Sequence, residues 1–76
     1  MNYSGLNSRV GTEIRERRRL LRLTQREVAD LAELAPATVI AIERGSPTVR
    51  LGSLLKAIQV LGFELRVGLI RTADRE

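Results

Sequence analysis

Residues 23–45 read LTQREVADLAELAPATVIAIERG, and this stretch decides the fold. Thr24 is followed three residues later by Glu27, which is the spacing of a capping box at the start of a helix. That helix must end before Pro36, because the residue preceding a proline avoids helical angles. Pro36 itself suits the first turn of a second helix, and Gly45 suits its left-handed end. Two short helices joined by so few residues predict a helix-turn-helix.

One further helix is predicted on each side of this pair, so the fold is mainly α and these segments make four helices. Upstream, Asn7 or Ser8 can cap a helix that runs to about Arg22. Downstream, a helix covers about 51–61 and ends at Gly62. Apolar residues at helical spacing predict the inward faces: Val10, Ile14 and Leu21 in the first helix, Val28, Leu31 and Ala32 in the second, Val39 and Ile42 in the third, and Leu51, Leu54, Leu55, Ile58 and Leu61 in the fourth.

The apolar pattern changes to a period of two in FELRVGLI, residues 63–70, which predicts a strand. A single strand leaves its backbone groups unpaired. We therefore expect it to pair with the same strand of a second copy about a two-fold axis. The chain is predicted to be one domain, 1–76, with a helical core (8–62), a dimerising strand (63–70) and a polar tail (71–76). The dimerising side of the strand carries Phe63, Leu65, Val67 and Leu69.

Composition narrows the classes of function. The chain has 76 residues and no Cys or His, which removes disulfides, the commonest metal ligands and the commonest general base. We therefore predict no enzyme activity, no metal site and no cofactor. A net charge of +4 favours an anionic partner such as nucleic acid. The densest basic run, RERRRLLR from Arg15 to Arg22, fits either a binding surface or a solvated helix face. No apolar run is long enough to span a membrane, and no signal-peptide pattern opens the chain.

Residues 23–45 resemble, without gaps, the helix-turn-helix of the Cro/C1-type (Xre) repressors. The matching positions are Thr24, Gln25, Val28, Ala29, Leu34, Thr38, Val39, Ile42, Glu43 and Gly45. The following stretch, SPTVRLGSLLKAIQVLGFELRV, is similar to the fourth helix and C-terminal strand of HipB-like antitoxins. The resemblance implies a lambda-repressor-like fold of four or five helices and a homodimeric repressor of a palindromic operator. It also implies a cytoplasmic, nucleoid-associated prokaryotic protein with a HipA-like kinase toxin as its partner.

The resemblance places DNA contacts on side chains that offer little to a base. The base-reading positions fall on Pro36, Ala37, Ile40 and Ala41, and none of these side chains can donate or accept a hydrogen bond. Apolar contact with thymine methyls is then the expected direct readout, with half-site spacing and DNA deformability supplying the rest. Thr38 could reach a base edge, a phosphate or its own backbone. The predicted DNA-binding residues are Thr24, Gln25, Pro36, Ala37, Thr38, Ile40, Ala41, Arg44, Ser46, Thr48 and Arg50, with Gln25 at the family's phosphate-binding position.

Two charged residues fall in the apolar register of their helices. Arg18 lies one turn past Ile14, and Glu43 lies one turn past Val39. A charge that faces a core must be paired, and the resemblance places this pair between the first and third helices, so we predict an ion pair. The alternative is that each side chain extends to solvent. Family members usually carry Gly where Glu33 stands, so either Glu33 takes a left-handed conformation, at about 1 kcal/mol, or the helix end is rearranged.

Three alternatives to this function remain open. The apolar face of the third helix could be a protein-interaction surface in a chain that has lost DNA binding. The chain could be a free-standing Xre-type regulator without a toxin. RNA binding is a third possibility, but Tyr3 and Phe63 are the only aromatic residues available for stacking.

Overall fold

The computed structural model describes residues 3–66. This part of the chain contains four α-helices: α1 (Tyr3–Leu20), α2 (Gln25–Ala32), α3 (Pro36–Glu43) and α4 (Leu51–Val60). The helix-turn-helix is α2 and α3. Residues 63–66 are not in a strand, and residues 67–70, the remainder of the predicted strand, lie outside the described residues.

The first helix is displaced from its predicted bounds at both ends. It begins at Tyr3 rather than at Asn7 or Ser8, and the added turn carries Leu6, which lines a groove with residues of α4 and the segment after it. It ends at Leu20 rather than near Arg22, because Arg22 takes a left-handed conformation with φ 59°.

The starts of α2 and α3 confirm the predictions made from local sequence. The Glu27 N–H donates to Thr24 Oγ1 at 3.0 Å, and the Thr24 N–H donates to Glu27 Oε1 at 2.8 Å, which completes the capping box. Pro36 occupies the first turn of α3, where its missing N–H leaves no hydrogen bond unmade.

All four helices end in the same hydrogen-bonding motif. In each, a left-handed residue donates its N–H three residues back and the next residue donates five residues back, which is the Schellman arrangement. Two of the left-handed residues are glycines, Gly45 and Gly62, and glycine favours this conformation. The other two are Arg22 and Glu33. Glu33 therefore takes the left-handed conformation, with φ 57°. The hydrogen bonds run from a backbone N–H to a backbone carbonyl. At the end of α1 they are Arg22 to Arg19 and Leu23 to Arg18, and at the end of α2 they are Glu33 to Asp30 and Leu34 to Ala29. At the end of α3 they are Gly45 to Ile42 and Ser46 to Ala41, and at the end of α4 they are Gly62 to Gln59 and Phe63 to Ile58.

One apolar core lies between the helices. Its buried members are Ile14, Val28, Ala29, Val39, Ile42, Ala57, Ile58 and Leu61. Three leucines that were predicted to face inward are instead exposed, namely Leu21, Leu31 and Leu51, at 41%, 63% and 60%. Leu21 lies beyond the end of α1 and Leu51 is the first residue of α4. In α2 the face against α3 and α4 is formed by smaller residues, with Ala29 fully buried.

The crossing of α1 over the last turn of α3 depends on a glycine. A Cβ on Gly11 would lie 2.6 Å from the carbonyl oxygens of Ile42 and Glu43. The two backbones therefore approach more closely than any side chain would allow. This crossing brings the C-terminal half of α1 alongside Glu43, where the charged side chains described below meet.

Candidate nucleic-acid interface

The outward face of α3 is apolar, as the sequence predicts. Pro36 and Ala37 are exposed, and Ile40 and Ala41 are half-buried. These side chains can contact an apolar group but cannot hydrogen-bond a base edge. Arg44, directly after the helix, is exposed.

A concave surface lies between the first turns of α3 and the start of α4, and the space that it encloses has a volume of about 420 Å³. Six of the eleven predicted DNA-binding residues line it: Ala37, Thr38, Ala41, Ser46, Thr48 and Arg50. Val49 and Ser53 also line it and were not predicted. Ser53 lies three residues after Arg50, on the same side of the first turn of α4, and this spacing could have identified it.

The loop that forms one wall of this surface is held by its own hydroxyl groups. The oxygens Ser46 Oγ and Thr48 Oγ1 are 3.1 Å apart, and the Thr48 N–H donates to Ser46 Oγ at 3.4 Å. Within the described residues, α4 then begins at Leu51 without a side-chain cap. A helix N-terminus with free backbone N–H groups is suited to bind a phosphate.

A second group of predicted residues meets around a buried carboxylate. The side chain of Glu43 has no exposed surface and that of Arg18 is 11% exposed. Arg18 Nε donates to Glu43 Oε2 at 2.7 Å, and Arg18 Nη2 donates to Glu43 Oε1 at 3.0 Å. The predicted partners thus face each other in a two-bond arrangement, which is the strongest geometry for this pair. Arg18 Nη1 also donates to the carbonyl of Leu23 at 2.9 Å, which ties in the α1–α2 turn.

Two more donors complete the surroundings of Glu43. Gln25 Nε2 donates to Glu43 Oε1 at 3.2 Å. Arg15 Nε lies 3.5 Å from the same oxygen, and Arg15 Nη2 donates to the carbonyl of Glu43 at 3.4 Å. Arg15 was not predicted as a partner of Glu43, although it lies three residues before Arg18 on the same helical face.

The ionisation of Glu43 follows from these contacts. Burial raises the pKa of Glu43, but the hydrogen bonds from Arg18 and Gln25 and the charges of Arg18 and Arg15 lower it by more. The pKa of the carboxyl group therefore lies below its ordinary value, so Glu43 is ionised near neutral pH.

The remaining predicted residues are not brought into either group. Pro36, Ile40 and Arg44 do not line the concave surface. Thr24 uses its hydroxyl and its N–H in the capping box of α2.

A groove of about 280 Å³ lies on another part of the domain, between α1, α4 and the segment after α4. Phe63, predicted to be in the dimer, packs partly buried against the core. Leu65 and Leu6 line the groove and are 49% and 51% exposed. Val67 and Leu69, the other predicted dimer residues, lie outside the described residues.

The family model described as Helix-turn-helix matches residues 14–67. The chain belongs to the Cro/C1-type helix-turn-helix family. This membership makes it a DNA-binding transcription regulator. No curated protein matches the chain in a sequence comparison. None of the helices within residues 3–66 is long and apolar enough to cross a membrane, and the same residues contain no group of His, Cys, Asp or Glu side chains suited to hold a metal ion.

Proposed function

We propose that this regulator is a homodimeric repressor of a palindromic operator, and that α3 and the concave surface at the start of α4 contact the DNA. The observation that carries the proposal is that six predicted contact residues line one surface. That surface combines hydroxyl groups, the guanidinium of Arg50 and an uncapped helix N-terminus. These groups bind phosphates.

In this proposal the phosphates supply the affinity and the apolar face of α3 reads the bases. Most hydrogen bonds between proteins and DNA go to the backbone rather than to bases. Thymine methyls are the apolar feature of the major groove, and Ala37, Ile40 and Ala41 present only carbon atoms to it. Replacing thymine by uracil at single half-site positions removes the methyl alone. It is expected to weaken binding where these residues read it.

The DNA-binding proposal is tested by titrating the chain with DNA from upstream of its own gene over a range of salt concentrations. The logarithm of the affinity should fall linearly with the logarithm of salt, by about 0.9 for each phosphate neutralised. Arg44→Ala and Arg50→Ala should each reduce this slope. Lys56→Ala is the matched control, because it also removes one positive charge and Lys56 is exposed on α4, where it lines neither the concave surface nor the groove beside Phe63 and Leu65. A flat salt response, or no binding at low salt, would favour the protein-interaction alternative.

The dimer is proposed to form through residues 63–70. The groove beside Phe63 and Leu65 supports it, because the groove exposes apolar side chains at the point where the described chain ends. A small domain with such a groove gains stability when a second copy covers it.

We also propose that the regulator is the antitoxin of a HipA/HipB-like module that controls its own operon. The support is the resemblance of residues 46–67 to HipB-like antitoxins. The test is to co-express the chain with the product of the neighbouring open reading frame and to separate the mixture by size exclusion. Co-elution with a kinase-sized protein would support the antitoxin. A neighbouring frame that encodes no kinase would leave a free-standing regulator.

A further inference from the structure

We propose that Glu43 is a positioning residue for DNA binding, whose buried carboxylate holds the amide of Gln25 so that one of its N–H groups faces a DNA phosphate. This inference deepens the proposed function and rests on it, since Gln25 meets a phosphate only if the chain binds DNA. The pairing of Arg18 with Glu43 joins α1 to α3, and the contact between Glu43 and Gln25 adds the first residue of α2 to this group.

The carboxylate determines which end of the Gln25 amide faces it. An ionised carboxylate only accepts hydrogen bonds, so Nε2 and not Oε1 of Gln25 must point at Glu43. The observed distance between Gln25 Nε2 and Glu43 Oε1 is 3.2 Å. Without this contact the amide could present either its oxygen or its nitrogen to a ligand, and only the nitrogen suits a phosphate.

The second N–H of the same nitrogen is available for a ligand. The two N–H bonds of a planar amide diverge, so one that points at Glu43 directs the other away from it. No acceptor for that second N–H occurs within residues 3–66. Gln25 is half-buried at the first position of α2, where the positive end of the helix dipole also favours an anion.

The charges around Glu43 allow an anion to approach. A lone carboxylate would repel a phosphate. Here Arg18 and Arg15 bring two positive charges to one negative charge, and the side chain of Arg15 is 40% exposed. The group therefore carries a net positive charge and attracts the phosphate that Gln25 is oriented to receive.

A double-mutant cycle separates positioning from a purely structural role. The probe is poly(dA–dT) duplex at low salt, since phosphate contacts carry no sequence information. Gln25→Ala is expected to weaken binding by about three- to tenfold, the effect of one hydrogen bond. Glu43→Gln preserves the shape of the side chain, but the new amide can donate as well as accept hydrogen bonds. The Gln25 amide can then rotate by half a turn and present its oxygen instead. Glu43→Gln should weaken binding by a similar factor, while the double variant binds as Gln25→Ala does.

Glu16→Gln is the matched control, because it removes the same charge from an exposed position on α1, and it should not weaken binding. If Glu43→Gln weakens binding equally with and without Gln25, or not at all, Glu43 does not act through Gln25 and the inference is overturned. If the unaltered chain fails to bind the duplex, the proposed function fails with it. If the unaltered chain binds the duplex and the effects of the two substitutions simply add, the positioning role alone is excluded and the proposed function is unaffected.

The unaltered chain offers a second measurement that does not depend on the stability of any variant. In the nuclear magnetic resonance spectrum, the two Nε2 protons of Gln25 should be distinct, with the proton bonded to Glu43 protected from exchange. Adding the duplex should shift the other proton and leave the protected one nearly unchanged. Equal shifts of both protons, or no shift at saturation, would overturn the inference.

Discussion

Glu43 joins three helices through one carboxylate. It lies at the end of α3 and accepts hydrogen bonds from Arg18 on α1 and Gln25 on α2. Burial of an ion pair stabilises a fold little in itself, but removal of one partner leaves the other charge buried and unpaired. The contribution of Glu43 should therefore be visible mainly in what its loss does to its neighbours.

Glu43→Ala is expected to lower the free energy of unfolding by about 3–5 kcal/mol near neutral pH. The reason is that Arg18, whose side chain is only 11% exposed in the unaltered domain, would lose its carboxylate partner. Urea denaturation measures the change, and Glu16→Ala on the exposed face of α1 serves as the control. An unchanged midpoint for Glu43→Ala would show that the pair does not stabilise the domain.

The same carboxylate should make the free energy of unfolding depend on pH in the acidic range. The pKa of Glu43 is lower in the folded chain than in the unfolded chain, so the unfolded state takes up the proton first. The contribution is complete above the ordinary glutamate pKa of about 4.3, and it is lost as the pH falls from there through the folded pKa. The free energy of unfolding, measured in steps over this range, should fall less steeply for Glu43→Gln than for the unaltered chain. Parallel curves would contradict the assignment.

Left-handed residues at the helix ends give a further prediction. Glu33 and Arg22 occupy positions where the conformation disfavours any side chain, with φ 57° and 59°. Glu33→Gly and Arg22→Gly should each stabilise the domain by about 1 kcal/mol or less, because the relief of strain exceeds the added freedom of the unfolded chain. Gly62→Ala, which introduces a Cβ at the same position of the α4 motif, should do the reverse. Thermal unfolding decides the sign in each case.

At the scale of the helices, the crossing of α1 and α3 leaves no room for a side chain at Gly11. A methyl group on Gly11 would meet the backbone carbonyls of Ile42 and Glu43 at 2.6 Å, and backbone cannot rotate out of the way as a side chain can. The contact therefore fixes how close α1 lies to the carboxylate that it pairs with.

Gly11→Ala should lower the free energy of unfolding by about 1–3 kcal/mol, as overpacking does, although alanine is the better helix former. Gly52→Ala is the control, because a Cβ there would meet no atom within 4 Å. Intrinsic helix propensity should then raise stability by up to about 1 kcal/mol. The same chemical change in two helices should thus have opposite signs in a thermal or urea titration. A stabilising Gly11→Ala would contradict the close crossing.

The sequence predicted those elements whose signals are local. The capping box at Thr24, the proline at the start of α3 and the glycine at its end each act within a few residues. The early start of α1 and the exposure of Leu31 depend instead on which neighbour packs against each face. The contact of Arg15 with Glu43 joins residues 28 positions apart. Such contacts follow from the helix crossing, which no local pattern specifies.

At the scale of the whole molecule, the proposed dimer depends on residues 63–70. Val67→Pro should weaken self-association, because proline cannot donate to a strand ladder. Operator affinity should fall with it, because one domain offers one α3. Sedimentation and DNA titration measure the two effects, with Ala73→Pro in the polar tail as the control. A Val67→Pro chain that remains dimeric and binds with unchanged affinity would place the dimer interface elsewhere.

The contact of Arg17 with Leu61 has a consequence for the distance between the two half-sites of the operator. Its Nε donates to the carbonyl of Leu61 at 2.9 Å, so α1 holds the residue at which the chain turns away from α4. In the proposed dimer, the segment that joins the two domains therefore leaves each of them at a fixed point. In that dimer the fixed exit points limit the separation of the two α3 helices, and the spacing of the half-sites must match it. About five extra base pairs between half-sites, half a helical turn, would move the second half-site to the opposite side of the duplex.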